Sequence, residues 1–160
     1  ASIRCRRSVP VSSASFRFRN TSNSRSPRGA AVAEKKIQSL DIIDDDFIIQ
    51  DILAEALRHF GYEVLSLRNS TECVEKTLEF KPDLILLDVM MPELNGFGVL
   101  EKLKTLNIIP ATTVIVLTAL SNETGVKQVL SYGAKDCWFK TDYDTSQLAE
   151  KIKKILETEN

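Results

Sequence analysis

The chain has 160 residues and a formal net charge of −1 at pH 7, enough for one ordinary domain with an extension. That near-neutral sum hides a division: residues 1–33 hold seven Arg and no acidic residue, leaving 14 basic against 22 acidic side chains, a net of −8, in the rest. So acidic a body gives no basis for direct nucleic-acid binding, and no apolar run approaches the roughly 20 residues of a membrane-spanning helix.

Residues 1–35 form a Ser- and Arg-rich extension poor in apolar side chains. This is the composition of an organelle transit peptide, with the abundant Ser favouring a plastid over a mitochondrion. The alternative is a disordered basic tail that targets nothing, on a cytoplasmic protein. Cys5, Cys73 and Cys137 are too far apart for metal-ligand spacing and read as reduced thiols. His59, the single His, falls late in a helical pattern and is expected at the surface near a helix C-terminus.

From Lys36 the pattern changes to alternating strands and helices. Ile37 to Ile43 reads as a strand with Asp44, Asp45 and Asp46 at its C-terminal end. Ile49, Ile52, Leu53, Ala56, Leu57 and Phe60 then recur at helical spacing, and Gly61 stops the helix. Tyr62 to Leu67 alternates like a strand, and Asn69 and Ser70 are cap candidates for a helix running to about Phe80. Asp83 to Asp88 (DLILLD) is a continuous apolar run between polar ends, as expected of a strand buried on both faces. Phe97 to Lys104 predicts a helix, Thr113 to Thr118 (TVIVLT) a second fully apolar strand, and Glu123 to Tyr132 another helix, ended by Gly133. Asp136 to Phe139 gives a fifth strand and Ser146 to Leu156 a last helix, with Leu148, Ile152 and Ile155 on one face. Five strands alternating with five helices predict an α/β fold with a parallel, doubly wound sheet. In such sheets the functional site lies at the C-terminal ends of the strands.

Those ends carry Asp44, Asp45 and Asp46, then Asp88, Thr118 and Lys140. Each has an ordinary explanation as a helix cap or a solvated end; their joint placement at one edge does not. Together they suit a magnesium and phosphoryl site. Mg2+ takes hard oxygen ligands, few of them from protein. Two carboxylates of the first loop, that of Asp88 and the Met90 backbone carbonyl would serve. The ion relieves like-charge repulsion and leaves Asp88 able to act as a nucleophile. Lys140 and the Thr118 hydroxyl would meet the phosphoryl oxygens.

The segments IIDDDF, PDLILLDVMMPELNGFGVL, VIVLTAL and GAKDCWFK resemble a response-regulator receiver domain of two-component signalling, over about residues 36–157. The resemblance implies a flavodoxin-like sheet of order 2-1-3-4-5. It makes Asp44 and Asp45 the magnesium pair, Asp88 the phosphoacceptor, Thr118 the switch hydroxyl and Lys140 the phosphate partner, with Asp46 capping or beginning the first helix. It also implies transfer from a histidine kinase or phosphotransfer protein onto Asp88, self-catalysed, and a downstream protein that binds the fourth helix–fourth strand–fifth helix face. Residues 158–160 read as a polar tail, and the complete last helix before it as that of a stand-alone receiver.

Three positions depart from the family's pattern. Asp41 stands where the family has an aliphatic residue; a lone carboxylate in a central strand costs several kcal/mol unless paired or protonated, and it would otherwise extend the acidic cluster or bend the strand. Cys137 takes the place of a Tyr or Phe whose rotation accompanies movement of the Thr, and a buried, inert thiol is expected there rather than a redox group. Thr141 replaces a Pro, so a trans bond and a different loop path are expected. Two rival readings remain: a receiver-like binding module without phosphorylation, and a haloacid-dehalogenase-type phosphatase built on the D-x-D of Asp44 and Asp46, which leaves DVMMPELNG unexplained.

Overall fold

The computed structural model describes residues 38–158, apart from 69, 92–94, 110 and 120–121. The extension at residues 1–35, Cys5, the proposed strand start at Ile37 and the cap candidate Asn69 lie outside the described residues, as does the end of the polar tail. The elements alternate as expected: β1 (Ser39–Ile43), α1 (Phe47–His59), β2 (Glu63–Leu67), α2 (Ser70–Phe80), β3 (Leu84–Leu87), α3 (Gly96–Thr105), β4 (Thr113–Thr118), α4 (Glu123–Ser131), β5 (Asp136–Phe139) and α5 (Thr145–Thr158). The strands form one sheet in the order β2-β1-β3-β4-β5, every pair parallel.

Strand alternation divides the core into two layers. Leu40 and Ile42 of β1, Leu84 and Leu86 of β3, and Ile115 and Leu117 of β4 pack with Leu53 and Leu57 of α1 and Leu148, Ile152 and Leu156 of α5. Their neighbours Ile43, Ile85, Leu87, Val114 and Val116 face Cys73 and Val74 of α2, Leu100 and Leu103 of α3 and Val129 of α4. Each fully buried Leu or Ile here stabilises the fold by about 1.5–3 kcal/mol. Because β3 and β4 are covered on both faces, they read as nearly unbroken apolar runs, whereas β1, equally buried, carries Ser39 and Asp41. No helix among the described residues is long and apolar enough to cross a membrane.

The structure shifts the apolar phase of α1. Ile52, expected in the buried stripe, is exposed, and Gln50 is fully buried in its place. The amide of Gln50 donates to the carbonyls of Ile42 and Leu67, each at 2.9 Å. It thus ties together the ends of β1 and β2, and the hydrogen bonds offset the cost of burying it. Gly61 and Gly133 end α1 and α4 with φ of 90° and 102°, as the helix-stop pattern requires. His59 is exposed in the last turn of α1.

Asp41 neither bends β1 nor joins the acids at its end. The strand runs through it in register with Leu65 on one side and Ile85 on the other, and its carboxylate accepts a hydrogen bond from the Thr77 hydroxyl of α2. After Lys140 the chain makes a short 3-10 turn, Lys140–Asp142, and among the described residues no peptide bond is cis.

One close approach shapes the edge that carries the acids. Gly96 begins α3 directly against the turn after β3, where a Cβ would overlap the Asp88 carbonyl oxygen and the Val89 Cα. Both are backbone atoms that cannot swing aside. Gly96→Ala is therefore expected to lower stability by about 1–3 kcal/mol, read as a fall in the denaturant midpoint at unchanged slope.

Candidate functional site

Parallel pairing brings the two principal acids together. The amide of Asp88 donates to Ile43 O at 2.8 Å, continuing the β1–β3 ladder past the last strand residues. Asp44 and Asp88 therefore leave adjacent strands side by side, and both are buried, at 3% and 4% exposure. Asp45 beside them is exposed. One carboxylate oxygen from each of Asp44, Asp45 and Asp88 falls within 4.8 Å of the other two. Crowding of this kind is repulsive unless positive charge is supplied.

Lys140, delivered by the end of β5, supplies part of it. Its Nζ lies 2.7 Å from Asp88 Oδ2 and 3.0 and 2.8 Å from the two oxygens of Asp44. Burial works against the ammonium, yet its hydrogen bonds and attraction to Asp44 and Asp88 hold its pKa above the usual lysine value. Burial also pushes the Asp44 carboxyl up, against the pull of Lys140 and the Asp46 amide. The two shifts differ in cause: desolvation dominates at Asp44, with the Asp88 charge a smaller contribution, whereas at Lys140 the contacts with the two carboxylates outweigh desolvation. A divalent cation would bring the set to neutrality, and an all-oxygen, partly solvent-open donor set is the kind that suits Mg2+.

The remaining groups are fixed from the backbone outward. Asp88 Oδ1 accepts the Met90 amide at 2.8 Å, and Met90 in turn bridges to Asn95, folding the loop back. Asn95 caps α3 by accepting from the Phe97 amide at 3.2 Å. Thr118 ends β4 fully buried, and the β3–β4 register sets it one residue beyond the level of Asp88. Asp44 Oδ1 accepts the Asp46 amide at 2.9 Å. The Asp46 side chain turns the other way and caps α1, accepting from the amides of Ile48 and Ile49 at 3.1 and 3.2 Å. Asp46 is thus occupied as a helix cap, and it is Asp45 that stands with Asp44 and Asp88. A D-x-D pair of Asp44 and Asp46 is not what the loop builds.

Sequence reasoning brought Asp44, Asp45, Asp88 and Lys140 to this edge, and the structure gathers them. It places Thr118 on the same edge and the Met90 amide, the part of that residue seen on Asp88, in contact with the cluster. What it missed is the support: the Gly96 approach, the Asn95 bridge and cap, and the buried Gln50. The Asn95-Gly96 dipeptide was the signal for the first two; nothing in the residue pattern marked Gln50.

On β5, Cys137 is half-buried against the α3–α4 layer. Burial and the nearby Asp136 charge push its thiol up, which disfavours the reactive thiolate. Trp138 is buried in the other layer, with its indole N–H on Asp136. Phe139, on the same side of the strand as Cys137, pairs in register with Thr118 and lines a cavity of about 300 Å³ with Asn122, Glu123, Val126 and Lys127 of the α4 region.

Comparison with known proteins agrees with this geometry. Residues 41–153 match the family described as the response regulator receiver domain. The chain is 32% identical over 115 residues to the chemotaxis protein CheY of Thermotoga maritima, covering 71% of this chain and 93% of CheY. It is 31% identical over 115 residues to the transcriptional regulatory protein CrdR of Helicobacter pylori, covering 72% of this chain but only 53% of CrdR, so it spans about half the length of that relative. A CheY-like receiver domain protein of Methanospirillum hungatei superposes with a TM-score of 0.68 at 29% identity, over 76% of this chain and 95% of that one. With five parallel strands in the order 2-1-3-4-5 and a family match over most of its length, this chain belongs to the response regulator receiver domain family.

Proposed function

We propose that this receiver accepts a phosphoryl group on Asp88 from a phosphohistidine of a histidine kinase or phosphotransfer protein, with Mg2+ held by Asp44, Asp45, Asp88 and the Met90 carbonyl. The observation that carries this reading is the buried Asp44–Lys140–Asp88 bridge with Asp45 at its open side. An oxygen of Asp88 attacks phosphorus as the P–N bond of the donor breaks, and the imidazole leaves with that bond's electron pair. Lys140, already aimed at Asp88 Oδ2, meets the transferred oxygens, and Thr118 offers its hydroxyl to them. The Met90 amide on Oδ1 fixes the carboxylate plane. Bound Mg2+ would supply charge neutralisation at the same oxygens.

Large exposed apolar side chains surround the mouth: Phe47 and Ile48 at the start of α1, and Met90 on the loop after β3. A donor protein must approach from this end, and these side chains supply the apolar contact that such an encounter needs. A downstream protein binds the α4–β4–α5 face, with Phe139 as the aromatic side chain that links Thr118 to α4. The Ser- and Arg-rich, acid-free composition of residues 1–33 supports delivery to an organelle, a plastid before a mitochondrion.

Incubation with a small phosphodonor and Mg2+ is expected to give one acid-stable, base-labile adduct, absent from Asp88→Asn. Lys140→Ala should slow its formation by about 100-fold or more. Wild-type protein that stays unlabelled would favour a non-phosphorylated binding module; labelling confined to Asp44 would favour the phosphatase.

The last two acids of the triplet separate by role. Asp45→Ala should abolish the Mg2+-dependent labelling of Asp88 with stability nearly unchanged. Asp46→Ala should keep the labelling and lose about 1 kcal/mol of stability with its cap, measured by denaturant unfolding. For the extension, residues 1–36 fused to a fluorescent reporter are expected to enter an organelle; a diffuse reporter would remove the targeting role.

A further inference from the structure

Asp41 is 0% exposed in the middle of β1, a strand paired on both sides. Its side chain enters the layer covered by α2 and α3. One oxygen accepts the Thr77 hydroxyl, while Oδ1 has no hydrogen-bond partner among the described residues. Thr77, itself 1% exposed, lines a cavity of about 350 Å³ at the end of α2, together with Leu78, Lys81, Asp83, Asn107 and Ile108. Lys81 and Asn107 are exposed and form its rim. A short path thus leads from solvent to the hydroxyl that holds the buried carboxyl.

The surroundings supply little compensating positive charge. From α2 come Thr77 and the Cys73 thiol, which burial first and the Asp41 charge second push up to about 11. From α3 comes Lys102, an exposed ammonium whose charge reaches the Cys73 thiol. At the level of Asp41, β2 and β3 present Leu65 and Ile85. Along β1 on the same side stand Ile43 and Ser39, the latter donating to Asp83 at 2.8 Å from its amide. Burial outweighs the Thr77 hydrogen bond and the smaller influence of the adjacent Ile42 amide, and the carboxyl is pushed up to about 7.

We propose that buried Asp41 works as a proton-operated latch between β1 and α2: the neutral carboxyl lets α2 stay closed on the sheet, and loss of the proton leaves a desolvated charge that the Thr77 hydrogen bond does not fully offset, so that the Thr77 end of α2 opens towards the cavity and admits water to it. The latch lies on the face away from Lys140 and does not depend on phosphorylation. Its sign follows from linkage. In the open form the carboxyl is hydrated and returns towards 3.8. Between that value and about 7 the closed form keeps a proton that the open form loses, so opening becomes easier by about tenfold per pH unit. Above about 7 both forms are charged and the dependence levels off.

Amide hydrogen exchange on the full chain, corrected for intrinsic rates at each pH, reads the latch directly. Protection at Thr77 and Leu78 is expected to fall by about tenfold per unit from about pH 5 to 7 and then to flatten. In Asp41→Asn that slope should vanish from α2, with α5 unaffected. The side-chain carboxyl carbon of Asp41 should titrate near 7 in the folded wild-type protein, and Thr77→Val, which removes a donor to the carboxylate, should move that titration upward. A titration near 4, α2 protection independent of pH in the wild type, or the same slope in Asp41→Asn would each overturn the proposal. The carboxyl titration alone decides if Asp41→Asn does not fold.

Discussion

Parallel pairing of β1 with β3 forces the residues that follow the two strands onto one edge. Here both are aspartates, drawn level by the Asp88 amide on the Ile43 carbonyl. Two buried carboxylates side by side would push the strand ends apart. What makes the edge tenable is Lys140, carried in by β5 from the far side of the sheet and within 3.0 Å of both. The bridge ties β1, β3 and β5 across β4, so the tertiary fold and the charge balance of the site are one constraint. It is also incomplete: one ammonium for three carboxylates leaves the site short of positive charge. A divalent cation would make good that shortfall.

The departures from the family's usual pattern fall away from this bridge. Cys137 lies on β5 before Lys140, towards the layer covered by α2, α3 and α4. Thr141 lies in the 3-10 turn, just after that lysine. None of these substitutions removes a group that touches the carboxylates. With a thiol at position 137, the aromatic ring in register with Thr118 is Phe139, one residue before Lys140 and beside the cavity under α4. The charged edge is thus built without any contribution from the side chains at positions 137 and 141.

Much of this was legible in the residues. DLILLD and TVIVLT declare doubly covered strands because both faces are apolar, and the polar residue that ends each run marks the edge where the site is built. The split of the acid triplet was legible as well, since a cap needs its carboxylate aimed at helix amides and Asp46 alone is placed to begin α1. What the sequence hid were features set by tertiary contact. Periodicity put Ile52 in the buried stripe and left Gln50 unmarked; Gln50 is the one buried, where its amide donates to the carbonyls of Ile42 and Leu67. The crowding at Gly96 depends on backbone from a different element, which no local pattern encodes.

Asp41 and Asp44 are three residues apart on one strand, both buried and both pushed towards holding a proton by desolvation. The similarity ends at their surroundings. Asp44 emerges at the strand end, where an ammonium and an open mouth can meet its charge. Asp41 faces the sheet's interior layer, where one hydroxyl is its side-chain partner and one oxygen is left over. The charge of Asp44 is met by the Lys140 ammonium and the Asp46 amide; that of Asp41 is met by the Thr77 hydroxyl and the neighbouring Ile42 amide, which burial outweighs. A chain that needed only a rigid scaffold at that point would do better with an aliphatic side chain, which would fill the same layer without the desolvation cost. The carboxylate therefore makes physical sense as a source of conditional stability, with the packing of α2 set by proton concentration while the acid edge at the end of the same strand is set by charge.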